Sequence, residues 1–351
     1  MKHILVEMEK LKNPNSGLGQ FCLNIGEQFQ RLNTKNLQLD FYLPEVQKNI
    51  FGEQFNYVKY TPLHKLLPLN SSTYDVWHCL QQDSGYLPNN KNTKLILTIH
   101  DLNFLEKYKG SKQKRKLNSL QKKVNNASAI TVISKFTEMM VRENLELGNT
   151  PVHVIYNGNS LKTIADGPAP EFIQHNSVTD FIFSIGIISP KKNFHTLLPL
   201  LQNNKQLHLV IAGENNSDYA KQIIKTAEKT GVSKQIYLPG TIDDATKYWF
   251  YKNCKAFVFP SLTEGFGLPV VEAMSLGKPV FLSNLTSLPE IGGTEAYYWK
   301  NFEPEHMLDV FEKGLKDFYN DTEKPKRSID WAKQFSWENA AKAYLTIYEQ
   351  V

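Results

Sequence analysis

The stretch FPSLTEGFGLPVVEAMSLGKPV, residues 259–280, decides the fold. AFVF at 256–259 leads into it as a short apolar run of the kind that forms a buried strand. A loop with Gly265 and Gly267 follows, then a helix. Pro269 suits the first helical position, where its missing N–H would be unpaired anyway. The glycines let the backbone approach a ligand closely. The unpaired N–H groups of a first helical turn face such a ligand and favour an anion. Glu264 stands before the loop, and Glu272 is expected in the first turn of the helix. Carboxylates repel phosphates but accept hydrogen bonds from hydroxyls. A ligand carrying both phosphate and sugar therefore fits this segment better than a bare phosphate.

The same alternation of strand and helix extends in both directions. FIFSIG (181–186), LHLVIAG (207–213), IYL (236–238) and PVFL (279–282) read as strands. Residues 193–201, 218–230 and 243–253 read as helices, with Gly231 just past the end of the second. Nearer the start, HILVEM (3–8), LQLDFYL (37–43), TKLILTI (93–99), SAITVI (128–133) and VHVIY (152–156) read as strands. Residues 18–32 carry Phe21, Ile25, Phe29 and Leu32 on one helical face, 111–124 is a basic helix, and Ser134 caps a helix running to about Asn144. Strands alternating with helices build parallel sheets from βαβ units.

The stretch 159–179, with Gly167, Pro168 and Pro170, has little periodicity. The expected organisation is one doubly wound domain over 1–160, a linker over 161–179, a second doubly wound domain over 180–335 and a final helix over 336–351. Doubly wound sheets take ligands at the carboxyl ends of their strands, so two of them imply a ligand in the cleft they share.

Composition agrees. The 351 residues suggest about two domains. Hydrophobic residues at 41% and charged residues at 21% are ordinary for a globular protein. The three cysteines, Cys22, Cys79 and Cys254, form no CxxC pair and suit a reducing compartment. The apolar run at Ile4–Val6 is too short for a signal peptide, and no run of about 20 apolar residues exists to span a membrane. A cytoplasmic location is expected.

Segment 259–280 resembles the signature of the retaining nucleotide-sugar glycosyltransferases of family four (glycosyl transferases group 1), which have the GT-B fold, an α/β arrangement of two doubly wound Rossmann-like domains facing each other across a cleft. The resemblance covers nearly the whole chain and implies that domain 1–160 binds the acceptor, that domain 180–335 binds the nucleotide sugar and that the helix over 336–351 packs back on the first domain. It runs through SGLGQFCLNIGEQF (16–29), DVWHCLQQDSGYLP (75–88), LTIHDLNFL (97–105), AITVISKFT (129–137), VIYNGNS (154–160), SIGIISPKKNFHTLL (184–198) and SLPEIGG (287–293). It implies that Glu272 holds the ribose diol of the nucleotide and that Glu264 contacts donor-sugar hydroxyls near the reacting carbon. It implies that backbone amides of Gly265, Phe266, Gly267 and Leu268 hold sugar hydroxyls and pyrophosphate, and that Lys192, beyond Gly186, neutralises the diphosphate leaving group. Gly17 and Gly19 would approach the β-phosphate and acceptor, and His100 would contact the donor sugar. His78 and Asp101 are weaker acceptor candidates.

One departure matters. Many family members place an arginine directly after the glycine equivalent to Gly186, where this chain has Ile187. The phosphate clamp then falls to Lys192, with Lys191 beside it. Lysine is a point charge where arginine offers two parallel bonds. No Asp-x-Asp, no P-loop and no complete dinucleotide fingerprint at Gly17-Leu18-Gly19 occurs. Neither a metal nor a resident cofactor is expected, and the donor itself is a nucleoside-diphosphate sugar.

The net charge of +5 does not demand nucleic acid, but eight basic residues lie between Lys107 and Lys123 with no acid among them. A solvated helix face is the plainer reading. An anionic membrane surface is the next, since such clusters are attracted to anionic lipid, and an acidic saccharide or nucleic-acid partner is the third. Tyr108 alone interrupts the run with an aromatic ring, which argues against stacking on single-stranded nucleic acid. The sequence thus points to a hexosyltransferase, mannose from GDP-mannose being the first expectation, acting on a saccharide or lipid-linked saccharide in cell-surface polysaccharide biosynthesis. A peripheral position on the inner face of the membrane goes with it. A GT-B epimerase or phosphorylase is the alternative, and a non-catalytic sugar-nucleotide-binding protein fits the glutamate pair less well.

Overall fold

The computed structural model describes residues 1–351 apart from Asn15, Asn33, Lys35, Ala165, Asp166, Asn176, Ser177 and the side chain of His175. The chain divides into two units. One comprises Met1–Gly158 with Phe335–Val351, the other Asn159–Gln334.

The first unit is built on a seven-stranded parallel sheet. Its strands are β1 (Lys2–Glu7), β2 (Leu37–Leu43), β3 (Asn56–Lys59), β4 (Val76–Cys79), β5 (Lys94–Ile99), β6 (Ala127–Val132) and β7 (Val152–Val154). They lie in the order β3-β2-β1-β4-β5-β6-β7. Ile4, Leu5 and Val6 of β1 are fully buried, as a strand covered on both faces requires. Helices Gly17–Arg31, Gly110–Val124 and Lys135–Asn144 flank the sheet, and Ser134 caps the third by accepting from the Thr137 amide at 3.0 Å.

The final helix, Trp337–Gln350, belongs to this unit and lies against helix Gly17–Arg31. Phe21 meets Trp337 and Tyr344 edge-on, and Gly158 approaches Trp337 so closely that a Cβ there would fall 2.0 Å from the Trp337 nitrogen.

The second unit holds six parallel strands, β8 (Asp180–Ile185), β9 (Leu207–Ala212), β10 (Ile236–Gly240), β11 (Ala256–Phe259), β12 (Val280–Ser283) and β13 (Tyr297–Trp299). Their order is β10-β9-β8-β11-β12-β13. The winding reverses between β8 and β11, and ligands of doubly wound sheets sit beyond the strand ends at such a reversal.

The structure departs from the sequence reading in places. The helix expected over 193–201 is broken into a 3-10 turn, Phe194–Leu197, and a short helix, Pro199–Gln202. Pro199 can start a helix but cannot donate inside one, and Asn193 enters the turn at φ 58°. The expected linker over 161–179 falls partly on Ala165, Asp166, Asn176 and Ser177, and in that part lies outside the described residues. Its described portion includes helix Glu171–His175, whose Phe172 stacks on Tyr237 of β10 at 3.8 Å. Strands β3 and β13 had no counterpart in the sequence reading.

Candidate active site

In the second unit, the loops that follow β8 and β11 emerge on either side of the winding reversal. Gly186 follows β8 with φ 146°, a conformation glycine tolerates. Its surroundings are tight on both sides. A Cβ on Gly213 would lie 2.1 Å from the Gly186 oxygen, and one on Gly186 would lie 3.2 Å from Lys192 Cε.

The Lys192 side chain therefore runs against the bare face of Gly186. Its ammonium lies 4.6 Å from the centre of the Phe259 ring and 2.5 Å from Glu264 Oε1. Ser261 Oγ donates to the same oxygen at 2.6 Å. Lys191, by contrast, is exposed, and its carbonyl accepts from the Leu262 amide at 2.8 Å, tying the two loops together.

The loop over 260–267 is braced from behind by the end of β12 and the turn after it. Ser283 Oγ donates to the Ser261 carbonyl at 2.5 Å, and the Glu264 amide donates to Thr286 Oγ1 at 3.1 Å. Ser287 Oγ lies 3.0 and 2.9 Å from the carbonyls of Glu264 and Phe266. Gly267, at φ 111°, turns the chain into helix Leu268–Ser275. Leu268 is thus the first helical residue and Pro269 the second, one place later than expected. Glu272 correspondingly lies in the second turn, not the first.

Glu272 is buried and doubly held. Lys247 Nζ donates to its Oε1 at 3.2 Å and Tyr251 Oη to its Oε2 at 2.8 Å. Burial, and then the neighbouring Glu272, push the Tyr251 hydroxyl well above its ordinary range, so it is a donor throughout. Both partners come from helix Asp244–Asn253, four residues apart and hence on one face. Sequence reading missed them. The only available signal was the spacing Lys247-x-x-x-Tyr251 on a helix that precedes the glycine loop.

In the first unit, Ser16 caps helix Gly17–Arg31 by accepting from the Gly19 amide at 3.1 Å. A Cβ on Gly19 would lie 2.1 Å from the Asn13 oxygen, whereas no atom of the described residues lies within 4 Å of the corresponding point on Gly17. Gly19 is thus required by packing, and Gly17 is the one with space for a ligand.

His100 follows β5. Its Nε2 lies 2.8 Å from the Leu80 carbonyl, its ring meets Phe21 edge-on, and burial lowers its pKa. A carbonyl only accepts, so Nε2 carries the proton and Nδ1 is the acceptor of a neutral ring. Asp101 Oδ1 accepts from the Asn103 amide at 2.9 Å, a turn-forming bond.

His78 requires a correction. It is fully buried in β4, with Nδ1 2.6 Å from Tyr348 Oη and Nε2 2.8 Å from Thr98 Oγ1. Burial drives its pKa down to about 3. With both nitrogens satisfied inside the unit, it joins the final helix to the sheet and is not placed to touch an acceptor.

In the basic run, Lys107, Lys112 and Lys116 gather around the Tyr108 ring at 5.6, 4.1 and 5.7 Å, and Lys123 folds back to the Gln82 carbonyl at 2.6 Å. Lys107, Lys109, Lys112, Lys114, Arg115 and Lys122 are exposed. Among the described residues, no helix is long and apolar enough to cross a membrane.

Known proteins match this architecture. The family model for glycosyl transferases group 1 matches residues 169–335, and that for glycosyltransferase family 4 matches 39–162. The chain is 31% identical over 267 residues to a serotype-specific mannosyltransferase, WbdA, of Escherichia coli, covering 71% of this chain. It spans only about a third of that relative's length, 32%. It is 24% identical to the O-antigen chain mannosyltransferase B of Escherichia coli, over 99% of each. The structure of Anabaena Alr3699/HepE, in complex with UDP and glucose, superposes over 100% of both chains with a TM-score of 0.77 at 17% identity. With both sheets matched and the signature loop lying where the winding reverses, the chain belongs to the group 1 glycosyltransferases of family 4 and has their GT-B fold.

Proposed function

We propose that the protein transfers mannose from GDP-mannose to a saccharide or lipid-linked saccharide in cell-surface polysaccharide biosynthesis, with retention of anomeric configuration. The observation that carries the reading is the convergence of Lys192 and Glu264 beside Gly186, ahead of the glycine loop and Glu272. It supplies one cation, a row of backbone amides and two carboxylates, the groups a diphosphate attached to two sugars needs. The mannosyltransferase names of the relatives support the choice of sugar.

In this reading Glu264 holds the Lys192 ammonium where a diphosphate competes for it. Both the Lys192 and Ser261 bonds fall on Oε1, so Oε2 is the oxygen for a sugar hydroxyl. As the glycosidic bond breaks, negative charge grows on the departing diphosphate, and Lys192 with the amides of Gly265–Leu268 stabilises it. Lys191 adds a second, more exposed charge. Glu272, held by Lys247 and Tyr251, accepts from the ribose diol. Gly17 makes room for the acceptor, and Nδ1 of His100 takes a donor-sugar hydroxyl. In this reading lysines and backbone amides, not a metal ion, face the diphosphate. Exposed Lys114, Arg115 and Lys122 favour residence on an anionic membrane, where a lipid-linked acceptor would be met.

A thermal-shift series with GDP, UDP, ADP and their sugars tests the donor, because selective binding raises the melting temperature. GDP and GDP-mannose should stabilise most, and equal shifts from all three nucleotides would overturn the base assignment. Incubation with sugar nucleotide alone separates the alternatives. Isomerised sugar nucleotide would mean an epimerase, and binding without turnover on any acceptor a binding protein.

A further inference from the structure

Isolated leucines on a protein surface need no explanation, but a cluster of them does. The 3-10 turn Pro62–Lys65 and the residues after it follow β3 at the carboxyl edge of the first unit's sheet. Leu63, Leu66 and Leu67 there are 57, 82 and 66% exposed. Val46, on the turn after neighbouring β2, is 86% exposed.

The leucines stand on a firmly made turn. The amides of Leu66 and Leu67 both bond to the Leu63 carbonyl at 2.9 Å, and His64 Nδ1 lies 2.9 Å from Tyr42 Oη. Backbone groups paired within the turn can enter a less polar medium without leaving a donor unmet, which is the condition for shallow insertion.

One loop, residues 80–87, lies between the turn and the basic helix and carries lysines from both. On one side Lys65 packs on it, with Cε 3.2 Å from the Cβ position of Gly85 and Nζ 5.2 Å from the Tyr86 ring centre. On the other, Lys123 binds the Gln82 carbonyl and Lys116 lies 3.8 Å from Asp83. The helix bearing exposed Lys114, Arg115 and Lys122 thus joins the leucine turn through a single loop. Two neighbouring acids are paired, Asp83 with Lys116 at 3.8 Å and Glu45 with Lys59 at 3.5 Å, while Glu106 and Glu146 beside the basic helix are exposed.

We infer that Leu63, Leu66 and Leu67 insert into the interface of an anionic lipid bilayer while the neighbouring basic helix holds the headgroups. The inference deepens the membrane part of the proposed function and takes its purpose from it. Binding strength at an interface grows with apolar area buried and with attraction to anionic lipid. The two groups of residues supply one term each. A protein partner would match the apolar cluster but gives no use for the exposed cations of the helix across the loop.

Co-sedimentation of the full chain with phosphatidylcholine vesicles, with and without phosphatidylglycerol, at low and high salt, tests this. Wild type should pellet with the anionic vesicles and keep part of that binding at high salt. Leu63→Ser/Leu66→Ser/Leu67→Ser should bind more than tenfold more weakly and lose the salt-resistant part. Lys114→Gln/Arg115→Gln/Lys122→Gln should lose mainly the salt-sensitive part. An environment-sensitive dye on Leu66→Cys should shift to the blue on anionic vesicles. Unchanged vesicle binding by the serine variant, no dye shift, or no wild-type binding would overturn the proposal. Loss of a wild-type dimer in the serine variant, without vesicle binding, would instead assign the cluster to self-association. Unchanged nucleotide-induced melting shifts show that the variants are folded. Transfer to a soluble saccharide, measured on the same protein, keeps the two readings apart. Vesicle binding without transfer sinks the enzymatic reading alone, and transfer without vesicle binding sinks this one alone.

Discussion

Lys192 Nζ lies 2.5 Å from Glu264 Oε1, and the two side chains are only 11 and 14% exposed. Ion pairs on open surfaces contribute little, and withdrawn ones often fail to recover their desolvation. Stability alone is a poor reason to keep this pair. Its position beside Gly186, ahead of the glycine loop, suits the proposed recognition of a diphosphate and a sugar together.

Lys192→Ala should lower kcat/KM by more than tenfold, about 1.4 kcal/mol of transition-state stabilisation. Lys191→Ala should cost less, because its ammonium is exposed and screened. Steady-state kinetics on both variants decide it. Equal losses would mean that the two lysines share the clamp, and no loss at Lys192 would remove it from the site.

Glu272→Ala should weaken nucleotide binding in calorimetry. Tyr251→Phe and Lys247→Ala should do the same to a smaller degree, by freeing the carboxylate to rotate. Each of these hydrogen bonds, made by or to a charged group, is worth about 1.5–3 kcal/mol where it is fully formed. Nucleotide affinity unchanged in all three variants would reject the ribose assignment.

Transfer activity should survive EDTA. Lysine and helix-terminal amides supply the positive side of the proposed site. A strict requirement for Mg²⁺ or Mn²⁺ would show that another source of charge is needed.

Tyr348→Phe should lower the melting temperature by leaving His78 Nδ1 without its partner in the core. A buried polar group so stranded costs about 1–3 kcal/mol. Nucleotide binding should be unaffected. His78 also sets a pH window. Its folded pKa of about 3 lies below the ordinary 6.5, so the unfolded chain binds the extra proton and stability falls as pH drops from 6.5 towards 3.

Glu7 predicts the opposite slope. It is buried at the end of β1, and desolvation raises its carboxyl to about 7 from 4.5. The folded state holds a proton that the unfolded state has lost, so Glu7 reduces stability as pH rises through that interval. Glu7→Gln should therefore melt close to wild type at pH 5 and above it at pH 8. A constant difference across that range would rule the ionisation out.

What the sequence disclosed depended on how local the cause was. LQLDFYL and AFVF form strands with the expected bounds, because alternation and burial are written in adjacent residues. Ser134 caps its helix for the same reason. Strand β3, NYVK, has only Tyr57 and Val58 to announce it and lies at a half-exposed edge. The partners of Glu272 sit on another helix, and nothing local to Glu272 points to Lys247. His78 shows the limit most clearly. A histidine near a strand end reads alike whether it faces a ligand or the core, and its deciding partner, Tyr348, is 270 residues away. The charge of the 107–123 run was legible, but not that Lys123 turns inward.

The final helix has a consequence for how the molecule is made. It completes the first unit, burying Tyr344 and Tyr348 beside Phe21, Phe29 and His78, yet it is encoded after the whole of the second. The second unit is continuous, from Asn159 to Gln334, and can close as soon as it leaves the ribosome. The first is complete only when residues near 350 have emerged. Synthesis therefore begins with the unit that finishes last, and its aromatic face stays uncovered while the other unit is translated.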